Sequence, residues 1–273
     1  MKYKLILAPF IVFSVQIIAN KTLAQEIRKD SIVPPQKDAV AFAKSICGAG
    51  NFTQKKGVIT CNTCPSFTGY RDGTGTLTSV VYGSFTKAGT REALVDLSDC
   101  EPHAGNWGGT VLLRQTNNSW SRVRYESGFR SNMCLKITNR TGRNSVICQG
   151  SYTGMGYLIT WLDKLEFNST KTTNTNLVKL ESNTGSCRPP YYEMLIQDFK
   201  LQDTNKDKIP DLVVKVSEAR GANNTNVSSS DGCVEPRLTK PKYHQLTFLS
   251  NGNSSFRPTA KTANLIKLLT VQQ

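Results

Sequence analysis

From Val58 onward the chain consists of short apolar runs separated by segments rich in glycine, asparagine, serine and threonine. Runs of this length with such boundaries are typical of β-strands joined by tight turns. A length of 273 residues is enough for one large all-β domain or two small ones. We therefore predict an all-β domain over residues 58–273, arranged as a sandwich or as a propeller-like array.

The first residues have the composition of a secretory signal. Lys2 and Lys4 form a charged start, residues 5–19 are mostly apolar, and small residues at 22–24 suit a cleavage site. The alternative is a membrane anchor, but the apolar run is shorter than the ~20 residues of a spanning helix and contains a proline and a glutamine. We expect residues 1–24 to be a signal peptide. The mature chain should have no transmembrane segment and be secreted or periplasmic.

The charge of the chain is strongly basic. Removing residues 1–24 takes away three lysines and no acidic residue, so the formal charge falls from +14 to +11. A basic exported protein can be attracted to anionic glycans or nucleic acid at long range. The cationic residues are scattered, however, and no stripe of them alternates with aromatic residues. The composition therefore indicates a solvated basic surface and no specific nucleic-acid partner.

Residues 25–57 are predicted to be a polar linker followed by one short helix. The segment Asp38–Ile46 has the apolar spacing of a helix, with Asp38 as its capping residue and Gly48 as its stop. No other helix is expected, because the remainder of the chain has the strand-and-turn pattern.

The chain has eight cysteines, all beyond the predicted signal: Cys47, Cys61, Cys64, Cys100, Cys134, Cys148, Cys187 and Cys233. An even number behind an export signal indicates disulfides. We expect Cys47 to pair with Cys61 or Cys64. We also expect Cys187 to pair with Cys233, and the other cysteines to share the remaining bridges.

The segment Gln197–Val216 carries the most distinctive polar pattern. Its loop offers oxygen ligands from four side chains and one carbonyl group: Asp203, Asn205, Asp207, Asp211 and the carbonyl of Ile209. Hard divalent cations take several oxygens at once, and calcium tolerates irregular geometry. The apolar run Leu212–Val216 then predicts a buried strand. The pattern indicates a calcium loop that leads into a sheet, and the alternative is a polar turn of the common kind.

This loop resembles the calcium loop of the FG-GAP (VCBS-type, integrin alpha-like) repeat, Asp-x-Asn/Asp-x-Asp-Gly-x-x-Asp-Leu. Lys208 stands where the family favours glycine. An EF-hand is excluded because Val214 stands where that motif needs a bidentate glutamate. The same frame recurs at Gly83–Val95, with Glu92 at the acidic ninth position, and again at Ile137–Ile147. Both of these copies lack the metal-binding carboxylates, so we expect hydrogen bonds from hydroxyl and amide groups to hold them.

Each copy is followed by a segment that resembles the second half of such a repeat. Gly109–Val123 reads as strand, asparagine-rich turn and strand, and Tyr157–Phe167 as the same unit with a shorter turn. His244–Phe256 contains Asn-Gly, a strong hairpin signal. The resemblance covers roughly residues 70–260 and implies tandem antiparallel four-stranded units. They would form a small or partial propeller-like array or, alternatively, a β-sandwich.

The segment Cys100–Gly109 is the densest cluster of reactive side chains. Glu101 and His103 are candidates for an acid and a base, and Trp107 for a ring that stacks on a sugar. Catalytic motifs such as the nucleophile elbow, HExxH and the P-loop are absent from the sequence. The structural alternative is a disulfide-anchored turn.

Two classes of function remain. The first, which we favour, is an exported non-enzymatic binding or surface-interaction protein with a protein or glycan ligand and one calcium loop. The second is a secreted hydrolase that acts on a glycan or envelope polymer through Glu101 and His103. Open sheet edges would also allow a homo-oligomer.

Overall fold

The computed structural model describes residues 30–70, 72–100, 108–221 and 236–270. The predicted signal peptide, residues 1–24, lies outside these ranges. Over half of the described residues are in strands, and all their strand pairs are antiparallel, so the predicted all-β class is confirmed. No helix in the described ranges is long and apolar enough to cross a membrane.

The first sheet has six strands in chain order, so that each strand pairs with the next. Its strands are β1 (Phe52–Lys55), β2 (Val58–Cys61), β3 (Gly75–Gly83), β4 (Glu92–Ser98), β5 (Gly108–Thr116) and β6 (Ser119–Ser127). Helix α1 (Gln36–Ile46) and a short 3-10 helix (Ser66–Thr68) accompany it.

The second sheet has eight strands, again in chain order. They are β7 (Cys134–Thr138), β8 (Asn144–Gly154), β9 (Tyr157–Phe167), β10 (Thr172–Ser182), β11 (Tyr192–Gln202), β12 (Asp211–Arg220), β13 (Lys242–Ser250) and β14 (Phe256–Pro258), followed by helix α2 (Ala260–Thr270). Between β10 and β11 the register contains a single pair, Ser182 with Glu193. The sheet therefore divides at this point into two four-stranded halves.

The elements form layers in chain order, and three apolar clusters lie between them. The first lies between α1 and the first sheet and includes Phe42 and Val95. The second lies between the first sheet and β7–β9 and includes Leu112 and Phe167. The third is shared by β7–β10, β11–β13 and α2. Strands β7–β9 therefore contribute apolar side chains to two clusters, which explains why Val146 and its neighbours are buried on both faces.

The predicted four-stranded units correspond to β3–β6, β7–β10 and β11–β14, but they do not form three separate sheets. The first is extended by the hairpin β1–β2, and the other two share the single β10–β11 pair. The layers pack face to face through their apolar sides, because each strand alternates its side chains between the two faces.

Two of the predicted hairpins are present and one is wrong. In the β5–β6 hairpin the turn residues Asn117 and Asn118 both have positive φ angles, as the tightest hairpin turns require. The β13–β14 turn likewise contains Gly252 at a φ of 76°. The segment Tyr157–Phe167 contains no turn and is one continuous strand, because β8 and β10 both pair along it.

The helix prediction is also corrected. Helix α1 begins after Pro35, and Asp38 lies inside its first turn, where it accepts a hydrogen bond from the hydroxyl of Tyr82 at 2.6 Å and does not cap the helix. The unexpected helix α2 starts after Thr259, whose hydroxyl accepts a hydrogen bond from the N–H of Thr262 at 3.2 Å. Its apolar side chains pack on the third cluster, so tertiary contacts stabilise a helix where the sequence pattern predicted none.

The disulfides link neighbouring elements of the fold. Three pairs are described: Cys47–Cys61, Cys64–Cys100 and Cys134–Cys148. The first joins α1 to β2, and the third joins β7 to β8. Cys187 is also in a disulfide, and its predicted partner, Cys233, lies outside the described residues.

Candidate functional site

The predicted calcium loop connects β11 to β12, and its last acidic residue has a structural task. Asp211 is the first residue of β12 and is fully buried. Its Oδ2 accepts hydrogen bonds from the N–H and the hydroxyl of Thr204, and its Oδ1 accepts one from the N–H of Ser250 at 3.0 Å. The carboxylate therefore closes the loop and ties it to the end of β13.

These hydrogen bonds also decide the ionisation of this carboxyl group. Burial alone raises the pKa of Asp211, but the hydrogen bonds from Thr204, Ser250 and the backbone of Asn205 outweigh it and hold the pKa below its ordinary value. The carboxylate is therefore charged in the folded protein at neutral pH.

The other predicted calcium ligands are exposed and hydrogen-bonded within the loop. The oxygens of Asp203, Asn205 and Asp207 accept hydrogen bonds from the N–H groups of Lys208, Asp207 and Ile209 respectively, at 2.7–3.1 Å. No group of three or more histidine, cysteine, aspartate or glutamate side chains placed to hold a metal ion occurs in the described ranges. The donor set suits calcium in chemistry, since all its members are oxygens, but Asp211 is already engaged by protein donors.

The first copy of the loop frame has the same construction. Glu92 is the first residue of β4 and is fully buried. Its carboxylate accepts hydrogen bonds from the N–H of Thr86 at 2.7 Å and from Arg114 at 2.8 and 3.0 Å. In the second copy, Asn139 accepts hydrogen bonds from two backbone N–H groups of its own turn. Both loops are thus held by hydrogen bonds, as expected for copies that lack metal ligands, and the first loop is also held by the Glu92–Arg114 ion pair.

The loops of this frame meet at one end of the molecule, which we call the loop end. Asn144 exchanges two hydrogen bonds with Ser84, which joins the β7–β8 turn to the loop before β4. Arg140 donates to the carbonyl of Asn251 at 3.3 Å, which joins the same turn to the β13–β14 turn. There Gly252 also lies near the side chain of Ile209. Four loops from all three units are therefore in contact.

The residues proposed for catalysis, Glu101 and His103, lie outside the described residues, as does Trp107. Cys100, which precedes them, is bound to Cys64. This end of β4 is therefore anchored to the segment that follows β2.

A cleft of about 550 Å³ lies between the first sheet and the β8–β10 layer. It opens where the apolar cluster between these layers ends. Its lining combines polar and apolar residues: Glu126, Ser127, Gly128, Phe129, Arg130, Asn132, Met133, Cys148, Gln149, Gly150, Ser151, Trp161, Asp163, Leu165, Thr172 and Asn174. We call it the inter-sheet cleft. Its volume lies in the range of ordinary ligand sites.

Trp161 provides an aromatic surface in this cleft. It pairs with Gly150 across β8 and β9, and a Cβ atom added to Gly150 would lie 2.5 Å from the indole ring. The glycine therefore allows the ring to lie on the backbone of β8. Because Trp161 is only half-buried, part of the ring remains available to a ligand in the cleft.

The carboxylates of Asp163 and Glu126 also line the cleft. Asp163 lies two residues from Trp161 along β9. Its carboxylate accepts hydrogen bonds from the amides of Asn174 at 2.7 Å and Asn176 at 2.8 Å. Glu126 is held by Arg124 and by the hydroxyl of Thr172. Each carboxylate is therefore fixed in position by neighbours, and neither stands as an unengaged acid or base.

A buried ion pair supports the first-sheet wall of the cleft. Arg130 donates to the carboxylate of Asp96 at 2.7 and 2.6 Å in a two-pronged arrangement, and the N–H of Ser131 donates to the same carboxylate at 3.1 Å. Asp96 is fully buried, whereas Arg130 is partly exposed and lines the cleft. The pair therefore holds a guanidinium group at a defined place.

The inter-sheet cleft was not predicted from the sequence. Trp161 and Asp163 lie within the segment that was predicted to contain a turn, and their partners Asn174 and Asn176 come from the next strand. The available signal was the alternation of asparagine along β10, where Asn176 lies opposite Asp163 of β9. It becomes visible only when the strand register is known.

Comparison with known proteins adds no assignment to this geometry. The chain matches no protein family model, no curated protein and no solved structure.

Proposed function

We propose that the chain is an exported, non-enzymatic binding protein whose inter-sheet cleft takes an uncharged portion of a glycan. The observation that carries the proposal is the half-buried ring of Trp161 in a cleft of about 550 Å³, beside the fixed polar groups of Asp163 and Asn174. An indole ring offers a flat apolar surface with one polar N–H group. Sugar rings present flat faces of C–H groups and rims of hydroxyls, which match this combination.

The charges of the cleft favour a neutral ligand. Arg130 is paired with Asp96, and Glu126 is paired with Arg124. The carboxylate of Asp163 is bound by two amides. Since Arg130 and Glu126 have charged partners and the Asp163 carboxylate is engaged by amide donors, hydroxyl groups that both donate and accept are better partners than an ion. Hydrolysis through Glu101 and His103 stays a prediction from the sequence, and nothing in the described residues supports it.

The experiment is a titration of the oxidised protein with a panel of short neutral oligosaccharides, followed by calorimetry. We expect saturable binding of at least one member and its loss in Trp161→Ala. Tyr243→Ala, which removes an aromatic residue that is 60% exposed on another face, is the matched control and should bind as the parent does. Hydrolysis of the bound sugar would mean that the protein is a hydrolase and not a binding protein. An absence of binding across the panel would overturn the proposal.

Export is part of the proposal. The disulfides support it, because such bonds persist in oxidising compartments, and the charged and apolar start of the chain supports it as well. We expect the mature protein to begin after Ala24, which the intact mass of the secreted chain would reveal. A chain that retains its first 24 residues would contradict this.

We also propose that calcium binds the β11–β12 loop through Asp203, Asn205, Asp207 and the carbonyl of Ile209, with Asp211 closing the loop. An ion that binds only the folded state raises stability by about 2.7 kcal/mol at a hundredfold excess over its Kd. We expect the melting temperature to rise in calcium relative to EDTA, and this rise to vanish in Asp207→Ala. Asp72→Ala, an exposed aspartate outside the loop, should keep the full response. Identical melts of the parent in both conditions would contradict a calcium site.

A further inference from the structure

A smaller cavity lies at the loop end and shares no lining residue with the inter-sheet cleft. Its volume is about 170 Å³, and the ends of β8–β10 and the β13–β14 turn enclose it. We call it the Arg143 cavity. Its lining residues are Asn139, Arg143, Asn144, Ser145, Glu166, Phe167, Asn168, Thr173 and Ser254.

Arg143 brings a positive charge that no described carboxylate neutralises. Its guanidinium group donates from Nη2 to the carbonyl oxygens of Phe85 and Phe167. Its Nε is buried and has no partner. The ion pairs of the described residues do not include Arg143. A guanidinium group in such a place retains its buried Nε–H donor and its whole charge.

Two hydroxyl groups in the cavity are likewise unpartnered. Ser145 is 3% exposed and Ser254 is 2% exposed, and the Oγ of each is buried with no hydrogen-bond partner. They come from different layers, since Ser145 lies on β8 and Ser254 in the β13–β14 turn. Buried polar groups in proteins nearly always have partners, so two orphan hydroxyls beside an unpaired guanidinium indicate a missing ligand.

Two asparagine side chains of the cavity also offer donors. The side-chain oxygen of Asn139 is taken by backbone N–H groups of its turn, and that of Asn168 is taken in the same way. What these two amides have left to offer is N–H. The one carboxylate, Glu166, forms an ion pair with Lys164 at 2.7 Å, so its charge is compensated within the protein.

We propose that the Arg143 cavity binds a small oxyanion of the sulfate, phosphate or carboxylate type, held by Arg143 Nε, Ser145 Oγ and Ser254 Oγ. An oxyanion supplies several acceptors at once together with the negative charge that Arg143 lacks. Water would satisfy the hydroxyls but would leave the charge unmatched. The volume is sufficient, since a water molecule takes about 30 Å³. The inference stands on residues outside the inter-sheet cleft and does not depend on the proposed glycan function.

The test is calorimetric titration of the oxidised protein with inorganic sulfate, inorganic phosphate and acetate at constant ionic strength. The three arms separate a tetrahedral anion from a carboxylate. We expect saturable binding of at least one anion. Ser145→Ala and Ser254→Gly should each weaken it about tenfold or more, because a hydrogen bond to a charged group is lost. Asn253→Ala, an exposed neighbour in the same turn, is the matched control and should bind as the parent does.

A second readout distinguishes a ligand site from a structural role. Both serine substitutions remove an unpartnered buried hydroxyl, and Ser254 has a φ of 62°, which glycine adopts without strain. The anion-free melting temperature of each variant should therefore be unchanged or higher while anion affinity falls. A lower melting temperature in both would mean that the hydroxyls already have partners. That result, or the absence of saturable binding by all three anions, would overturn the proposal.

Discussion

Asp211 and Glu92 occupy the same place in two hairpins, as fully buried acidic residues that begin a strand and bind the loop before it. The ninth position of these two loops thus has a structural role. A buried carboxylate that accepts hydrogen bonds from its own loop fixes the loop ends without any ion. This explains why the copy with Glu92 needs no metal ligands.

The first prediction at this scale concerns pH. The pKa of Asp211 in the folded protein is below its ordinary value of 3.8. The carboxylate therefore stabilises the fold above about pH 3.8, and this contribution is lost as the pH falls through the folded-state pKa. We expect Asp211→Asn to lower the free energy of unfolding by about 1–3 kcal/mol at neutral pH and to flatten its acid dependence. Urea unfolding over a pH series measures both quantities, and Asp72→Asn, at an exposed aspartate outside the loop, is the control.

The second prediction concerns the sixth position of the loop frame. Lys208 has a φ of 68°, whereas the equivalent residue before β4 is Gly89 at 75°. Left-handed backbone is unfavourable for lysine and easy for glycine. We expect Lys208→Gly to raise the free energy of unfolding by about 0.5–1 kcal/mol. Gly89→Ala, where open space surrounds the added Cβ, should lower it by about 1 kcal/mol. Changes of the same sign in both variants would contradict a purely conformational cause.

At the scale of elements, helix α2 shows how packing overrides a local reading. Its sequence lies beyond the predicted hairpins, yet Leu265, Ile266 and Leu269 join the cluster formed by β7–β13. The helix thereby covers apolar residues that two four-stranded layers leave at their edge. A short helix gains most of its stability from such contacts.

The third prediction uses two neighbouring leucines of this helix. Leu269 is 5% exposed and Leu268 is 68% exposed. We expect Leu269→Ala to lower the free energy of unfolding by about 2–3 kcal/mol, because it leaves a cavity in the cluster. Leu268→Ala should change it by less than about 0.5 kcal/mol. Equal effects of the two substitutions in urea unfolding would show that α2 does not pack as described.

At the scale of the whole molecule, each strand pairs with the next one in the sequence. The disulfides that join neighbouring elements therefore close short loops. Cys134 and Cys148 face each other on adjacent strands, 14 residues apart, while Cys64 and Cys100 are 36 residues apart. The longer loop restricts the unfolded chain more strongly. Loop-entropy estimates are about 3 kcal/mol for the first and about 3.8 kcal/mol for the second.

The fourth prediction follows from this difference. Replacing Cys64 and Cys100 by alanine should lower the free energy of unfolding more than replacing Cys134 and Cys148, by about 0.8 kcal/mol. Denaturant unfolding of the two double variants against the parent provides the measurement. The reverse order would mean that folded-state contacts near β7 and β8, and not chain entropy, dominate.

The sequence by itself determined the strands, the all-β class, the disulfide bonding and the acidic position of the loop frame. These follow from local patterns: apolar runs of strand length, Asn-Gly turns and an even set of cysteines. The turn predicted within Tyr157–Phe167 failed because a single run of mixed residues can be one strand or two, and the pairing of β8 and β10 decides which.

Only the tertiary structure decided how the units stack and which side chains meet. Trp161 faces the inter-sheet cleft because register pairs it with Gly150. Arg143 and Ser254, over a hundred residues apart, line one cavity because the β13–β14 turn folds onto the end of β8. Contacts of this kind join side chains that are distant in sequence, and local secondary-structure propensity does not determine them. The physical reason is that burial of apolar faces selects the stacking, and the stacking then places the polar groups.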